Sequence, residues 1–306
     1  MARLSIEDFA ATDAGTAFYS AYDTVLENWP VEVTPLELES DFGTTRVNAC
    51  GLSDAPPVVL LHGGGDTSTV WFNNVAALAG HYRVFAVDII GDPGRSVGHG
   101  KPVRTVEDLL AWLDSVATSA GLGTFSMVAH SYGAMIALAY TLDHPERVDT
   151  LTLLDPNSCF AGMRAQYLTR AIPLLLRPTD KRQRAFVRWE TDGNPLDEDW
   201  LSLLALGAAH FPKAKTIVPK RPRPGELARL AVDTTVLFAA GSKVHHSARL
   251  ASTIASASLR LHPFMIDGAT HHTLPMSPAS EVNAAIMQSI DNAGALGGFD
   301  FTSDDT

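Results

Sequence analysis

Ser131 is the residue of this sequence best suited to act as a nucleophile. It stands in Met127-Val128-Ala129-His130-Ser131-Tyr132-Gly133-Ala134, where a β-prone apolar run stops at a serine and an apolar helical pattern starts at once. A strand-to-helix turn that tight forces its central residue into a strained backbone conformation, so the positions two before and two after it must be small. Here they are Ala129 and Gly133, with Ala where the more usual pattern has Gly. A serine hydroxyl so placed projects above the sheet at a helix amino end, whose N–H groups can stabilise a developing oxyanion. A serine that merely caps a helix would give the same five residues.

The flanking segments must position that serine. Val58-Val59-Leu60-Leu61 is a continuous apolar run of the kind found in a sheet centre, and it runs straight into His62-Gly63-Gly64-Gly65-Asp66. Three successive glycines let backbone N–H groups approach a ligand that any Cβ would keep away; a plain tight turn is the alternative. In serine hydrolases of this design one oxyanion donor is the N–H after the nucleophile, here Tyr132, and the other comes from the glycine loop, here Gly64. His62 reads as a scaffold residue bonded to nearby backbone. Residues 1–30 read as an amphipathic helical lead-in with Ile6, Phe9, Phe18, Tyr22, Val25 and Trp29 buried, and residues 31–50 as an antiparallel edge hairpin about Asp41-Phe42-Gly43. Helix is expected over 70–78 and 106–119, and strand over 82–89 and 148–154. In Gly91-Asp92-Pro93-Gly94-Arg95-Ser96, Arg95 is expected to pair with Asp88 or Asp92, a substrate carboxylate being the alternative partner.

Composition excludes several classes of function. At 306 residues the chain suits one large α/β domain with an inserted subdomain, and 46 % hydrophobic content fits a soluble globular enzyme. No apolar run reaches membrane-span length, and Glu7 and Asp8 stand where a signal peptide has its apolar core, so a cytoplasmic protein without a membrane partner is expected. Cys50 and Cys159 lack metal-ligand spacing and read as reduced, buried thiols. A net charge of −11 argues against nucleic acid as a partner. No histidine spacing resembles a zinc motif, and neither metal nor cofactor is expected.

The order of glycine loop, Gly91–Ser96 loop, serine elbow and Leu153-Leu154-Asp155-Pro156 strand end resembles the α/β-hydrolase superfamily, over most of the chain. A closer similarity is to the carboxylesterases typified by naproxen esterase, in Val47–Gly51, Leu61-His62-Gly63, Val70-Trp71-Phe72 and Ala86–Asp92. The resemblance implies a mostly parallel central sheet flanked by helices with a helical cap. Its expected units are a core at 1–155, the cap at 156–230, a second core part at 231–296 and a disordered tail at 297–306.

The resemblance also implies the rest of the site. Asp267-Gly268-Ala269-Thr270-His271-His272 matches the family loop with a histidine three residues after a glycine, which selects His271 as general base, with His272 one residue away as the alternative. The family usually places the acid that orients this histidine after the seventh strand, yet residues 234–266 contain neither Asp nor Glu; Ser242 or His246 stands there instead. Asp155, ending the sixth strand, is the replacement that some superfamily members use, and it keeps the order Ser131, Asp155, His271; the alternatives are a turn residue before Pro156 and a Ser–His dyad.

The cap segment 156–230 carries 13 Lys or Arg against 7 Asp or Glu. Solvated helix faces account for such charge, and so does a rim that attracts an anionic or carrier-bound small acyl substrate. The expected function is a serine hydrolase cleaving an ester, lactone or thioester. A lyase, cyclase or acyltransferase using the same pocket, and a catalytically silent binding protein, are the alternatives.

Overall fold

The computed structural model describes residues 4–292; the tail expected at 297–306 lies outside the described residues. Two helices lead in, α1 (Ile6–Ala10) and α2 (Asp13–Glu27), each opened by a side-chain cap, Ser5 to the Asp8 N–H and Thr12 to the Gly15 N–H. Five of the six expected lead-in positions are buried, and Ile6 is half-buried. The hairpin follows as β1 (Thr34–Ser40) and β2 (Gly43–Cys50), and then β3 (Pro57–Leu61). The single helix expected over 70–78 is split into a 3-10 turn, Ser68–Asn73, and α3 (Val75–Ala79). The break falls at Asn74, whose amide donates to Asn283 at 2.7 Å and so ties this point to the carboxyl-terminal helix.

The sheet continues through β4 (Arg83–Val87), helix α4 (Val106–Ser119), β5 (Phe125–His130), α5 (Ser131–Asp143) and β6 (Val148–Leu154). Between β6 and the next strand lie α6 (Ala165–Leu176), α7 (Asp180–Glu190), α8 (Glu198–His210) and the short α9 (Pro224–Leu227). The chain then completes the sheet with β7 (Thr234–Ala239), α10 (Ser247–Ala255), β8 (Leu261–Ile266) and α11 (Ala279–Asp291).

The eight strands lie in the order β1-β2-β4-β3-β5-β6-β7-β8. The β1–β2 and β2–β4 pairs are antiparallel and the other described pairs parallel, as when an edge hairpin feeds a parallel sheet. Strand periodicity divides the core: Val59 and Leu61 face one apolar layer with α4 and α5, while Val58 and Leu60 face the other with α2, α3 and α11. Helix α8 belongs to that second layer. Trp200, Leu201, Leu203 and Leu204 pack with Phe18 and Val25 of the lead-in, so this part of the segment after β6 is built into the core. By contrast, α6 and α7 share only a small cluster about Tyr167, Phe186 and Val244.

Buried polar groups fix the lead-in. Asp88, just past β4, accepts hydrogen bonds from the Tyr22 hydroxyl at 3.0 Å, the Ser68 N–H at 2.8 Å and the Arg95 N–H at 2.7 Å. The Arg95 guanidinium goes elsewhere than expected: it pairs with Asp23 at 2.6 Å and lies over the Tyr19 and Tyr22 rings. Asp88 is engaged instead by the Arg95 backbone N–H, while Asp23 on α2 takes the guanidinium. Cys50 and Cys159 are both free and buried.

Candidate active site

β5 delivers Ser131 at the carboxyl edge of the sheet, where ligands approach parallel sheets. Ser131 has a φ of 53°, the left-handed region that costs a non-glycine residue energy and is sustained only by its surroundings. Gly133 shows what the turn demands. A Cβ there would lie 2.5 Å from the His62 carbonyl oxygen and 2.6 Å from that of Leu61, so not even a methyl group fits. The close approach of α5 to β3 is sealed by the Gly133 N–H, which donates to the His62 carbonyl at 3.2 Å.

The structure brings Ser131, His271 and Asp155 into one line. The Ser131 hydroxyl meets His271 Nε2 at 2.9 Å, and His271 Nδ1 meets Asp155 Oδ2 at 2.6 Å. His272 is turned away from the serine, with its Nδ1 3.0 Å from a Glu190 carboxylate oxygen. Asp155 is fully buried, with a φ of 40° at the end of β6. Burial alone would raise its pKa, but the hydrogen bonds from His245 and His271 outweigh that and hold the carboxyl well below the usual carboxylate range.

The loop after β7, which lacks an acid, supplies donors to the acid at β6. Ser242 Oγ donates to Asp155 Oδ2 at 2.7 Å and His245 Nε2 donates to Oδ1 at 3.0 Å, while the Ala239 N–H adds a bond at 3.2 Å. Of the two residues expected where relatives carry their acid, Ser242 bonds Asp155 directly, and the histidine that does so is the neighbouring His245. His246 is exposed at the start of α10.

Two further residues hold the His271 backbone. Glu190, the last residue of α7, is fully buried and accepts from the His271 N–H at 3.0 Å, the His272 N–H at 3.1 Å and the Thr270 hydroxyl at 3.0 Å, besides the His272 ring. Burial would raise its pKa, but hydrogen bonding to His272 and the charges of both histidines bring it down to about 2. From the other side, His130 Nε2 donates to the His271 carbonyl at 2.8 Å. Burial and the neighbouring His271 push the His130 pKa down to about 3, so its ring is neutral and takes no proton from Ser131 in the neutral range. Neither residue was legible as part of the site. A glutamate ending α7 carries no motif, and its partners lie 80 residues or more downstream.

The glycine loop lies against the elbow. A Cβ on Gly63 would be 2.7 Å from His130 Nδ1, and one on Gly64 would be 3.3 Å from the Tyr132 Cβ. Among the described residues, neither the Gly64 nor the Tyr132 N–H has a hydrogen-bond partner, whereas the Gly65 N–H is taken by Asp92 at 3.0 Å. His62 holds the loop from beneath, accepting from the Ile89 N–H at 3.0 Å and bonding the Gly63 carbonyl at 2.8 Å. A cavity of about 420 Å³ borders Tyr132, walled by Phe42, Ile90, Val103, Leu109 and Ile217 among others. The Tyr132 hydroxyl donates to the Ile217 carbonyl at 2.7 Å, which fixes that wall to the elbow. Among the described residues no group of three His, Cys, Asp or Glu side chains is arranged to hold a metal ion.

A buried hydroxyl, imidazole and carboxylate in line above a parallel sheet define a class that comparison with known proteins also reaches. A family model described as alpha/beta hydrolase fold matches residues 56–198, and the chain is an α/β-hydrolase-fold protein. It resembles the carboxylesterases typified by naproxen esterase. The crystal structure of naproxen esterase (carboxylesterase NP) from Bacillus subtilis superposes with a TM-score of 0.84 at 27 % identity, covering 90 % of this chain and 98 % of that one. In sequence, carboxylesterase YbfK of Bacillus subtilis (strain 168) is 34 % identical over 184 residues, 60 % of each protein. The uncharacterized carboxylesterase nap of the same strain is 35 % identical over 163 residues, 53 % of this chain and 54 % of that one. These sequence matches thus span at most 60 % of either relative's length.

Proposed function

We propose that the protein is a serine hydrolase that cleaves a carboxylic ester, lactone or thioester through an acyl-enzyme on Ser131. The observation that carries this reading is the relay itself, with Ser131 Oγ 2.9 Å from His271 Nε2 and His271 Nδ1 2.6 Å from Asp155. Carboxylesterase relatives support the ester-cleaving chemistry.

In this reading His271 Nε2 takes the Ser131 proton as Oγ attacks the acyl carbon. Asp155 fixes the imidazole with its proton on Nδ1 and stabilises the imidazolium that forms. The Gly64 and Tyr132 N–H groups, free of internal partners, bind the oxyanion. His271 returns the proton to the leaving alcohol or thiol, and water then repeats the sequence on the acyl-enzyme. The cavity beside Tyr132 combines apolar walls, suited to the hydrocarbon part of the acyl or alcohol group, with charged residues such as Asp92, Lys101 and Lys215.

A fluorophosphonate probe tests the nucleophile. The expected result is one adduct, mapped to Ser131 and lost in Ser131→Ala; labelling elsewhere, or none, contradicts the reading. Product analysis with an isotope-labelled thioester distinguishes water from another acceptor, and an acylated second substrate as main product would make the protein a transferase.

A further inference from the structure

Four of the nine large apolar side chains most exposed on the described residues lie on one helix, α6: Leu168, Ile172, Leu175 and Leu176. Their spacing puts all four on one face of the helix, at 40 %, 47 %, 74 % and 81 % exposure. The opposite side of α6 packs inward through Tyr167, Ala171 and Leu174, and the Tyr167 ring meets the His271 ring edge-on at 6.1 Å. The helix thus turns its inner face to the catalytic histidine and carries an aliphatic stripe on its outer side, beside the exposed Gln166, Thr169 and Arg170. Its end is fixed, because Arg182 donates to the carbonyls of Pro173 at 3.0 Å and Arg177 at 2.8 Å.

Charge sets the segment that carries this helix apart from the acidic remainder of the chain. Residues 156–179 contain no Asp or Glu, in a chain of net charge −11. Arg164 precedes the first residue of α6, Arg177 follows its last, and Lys181 lies just beyond. Among the described residues none of these three forms an ion pair with a carboxylate. An aliphatic stripe bracketed by unpaired cations on an otherwise acidic protein matches a surface that is apolar within and anionic at its face. A protein partner fits less well, since the stripe offers no Trp or Tyr anchor of the kind that dominates protein interfaces.

We propose that α6 docks the protein on an anionic lipid surface, with Leu168, Ile172, Leu175 and Leu176 entering the acyl boundary and Arg164, Arg177 and Lys181 meeting the headgroups. The absence of a spanning segment bears on insertion across a bilayer, whereas a surface helix needs only one apolar face. The docking is independent of the chemistry at Ser131, so Ser131→Ala binds as the wild type does.

Co-sedimentation with vesicles tests it, using equal parts phosphatidylglycerol and phosphatidylcholine against phosphatidylcholine alone. The expected result is binding to the anionic vesicles only, weakened about tenfold or more by the double variant Leu175→Ser/Leu176→Ser and separately by Arg177→Glu/Lys181→Glu. Both pairs are on the surface, so each variant is expected to keep the wild-type rate on a soluble ester. No binding to anionic vesicles, equal binding to both kinds, or binding that neither variant weakens overturns the proposal. So does sedimentation equilibrium showing a wild-type dimer that Leu175→Ser/Leu176→Ser makes monomeric, since the stripe would then belong to a second copy of the chain.

Discussion

The Glu190 carboxylate, at the end of α7, accepts the backbone N–H of His271 at 3.0 Å. Together with the His130 bond to the His271 carbonyl, this holds the backbone of the proposed base from both sides. Helix α7 is thereby joined to the reacting groups through a single side chain. Glu190→Ala is expected to lower kcat by about 100-fold with KM within about twofold, because misplacing a reacting group by about 1 Å costs that much. Glu190→Gln, which keeps one acceptor oxygen, is expected to lose only about tenfold. Steady-state kinetics on a soluble ester checks the split, and a KM that rises as much as kcat falls would assign Glu190 to substrate binding instead.

The same carboxylate makes stability depend on acid. A folded pKa of about 2, below its ordinary value, means that the stabilisation is complete above about pH 5 and is lost as pH falls toward and through the folded value. Its full size is about 3 kcal/mol. Urea unfolding at about pH 6 and about pH 3 should show wild type losing more stability over that interval than Glu190→Gln; equal losses would contradict the assignment.

Asp155 accepts from His271, His245 and Ser242 at once, so its variants separate orientation of the base from support of the acid. Asp155→Asn is expected to lower kcat by roughly 10³ to 10⁴, through loss of the working His271 tautomer. Ser242→Ala removes one neutral donor and is expected to cost about tenfold, equivalent to roughly 1.4 kcal/mol. A Ser242→Ala rate as low as that of Asp155→Asn would contradict this order.

Gly133 and Gly123 make a matched pair. A Cβ on Gly133 strikes two backbone carbonyls, while one on Gly123 has no atom within 4 Å. Gly133→Ala is therefore expected to cost about 3 kcal/mol or to prevent folding, because β3 would have to shift away from α5. Gly123→Ala should stay within about 0.5 kcal/mol of wild type. Urea midpoints check both.

What was readable in the sequence was what local pattern determines. The run Val58–Leu61, the elbow about Ser131 and the lead-in positions Phe18, Tyr22 and Val25 follow from periodicity and from turns that admit only small residues. Asp155 was reachable because residues 234–266 hold no acid and a strand-end Asp precedes His271 in the chain. The groups around it were not. Ser242 and His245 reach Asp155 across 87 and 90 residues, and only the fold decides that His245 turns inward while His246 faces water. The split of the helix expected over 70–78 was hidden for the same reason, since the Asn74 partner is 209 residues away. The docking of α8 against α2 likewise depends on a surface that the cap pattern alone does not describe.

The central claim is that Ser131 attacks, with His271 as its base. The most direct test is turnover of p-nitrophenyl butyrate by wild type, Ser131→Ala and His271→Ala, each shown to be folded by its urea midpoint. The account predicts steady turnover by wild type and a loss of roughly 10⁴-fold or more in kcat in each variant. Turnover that survives Ser131→Ala or His271→Ala in a folded protein would contradict it.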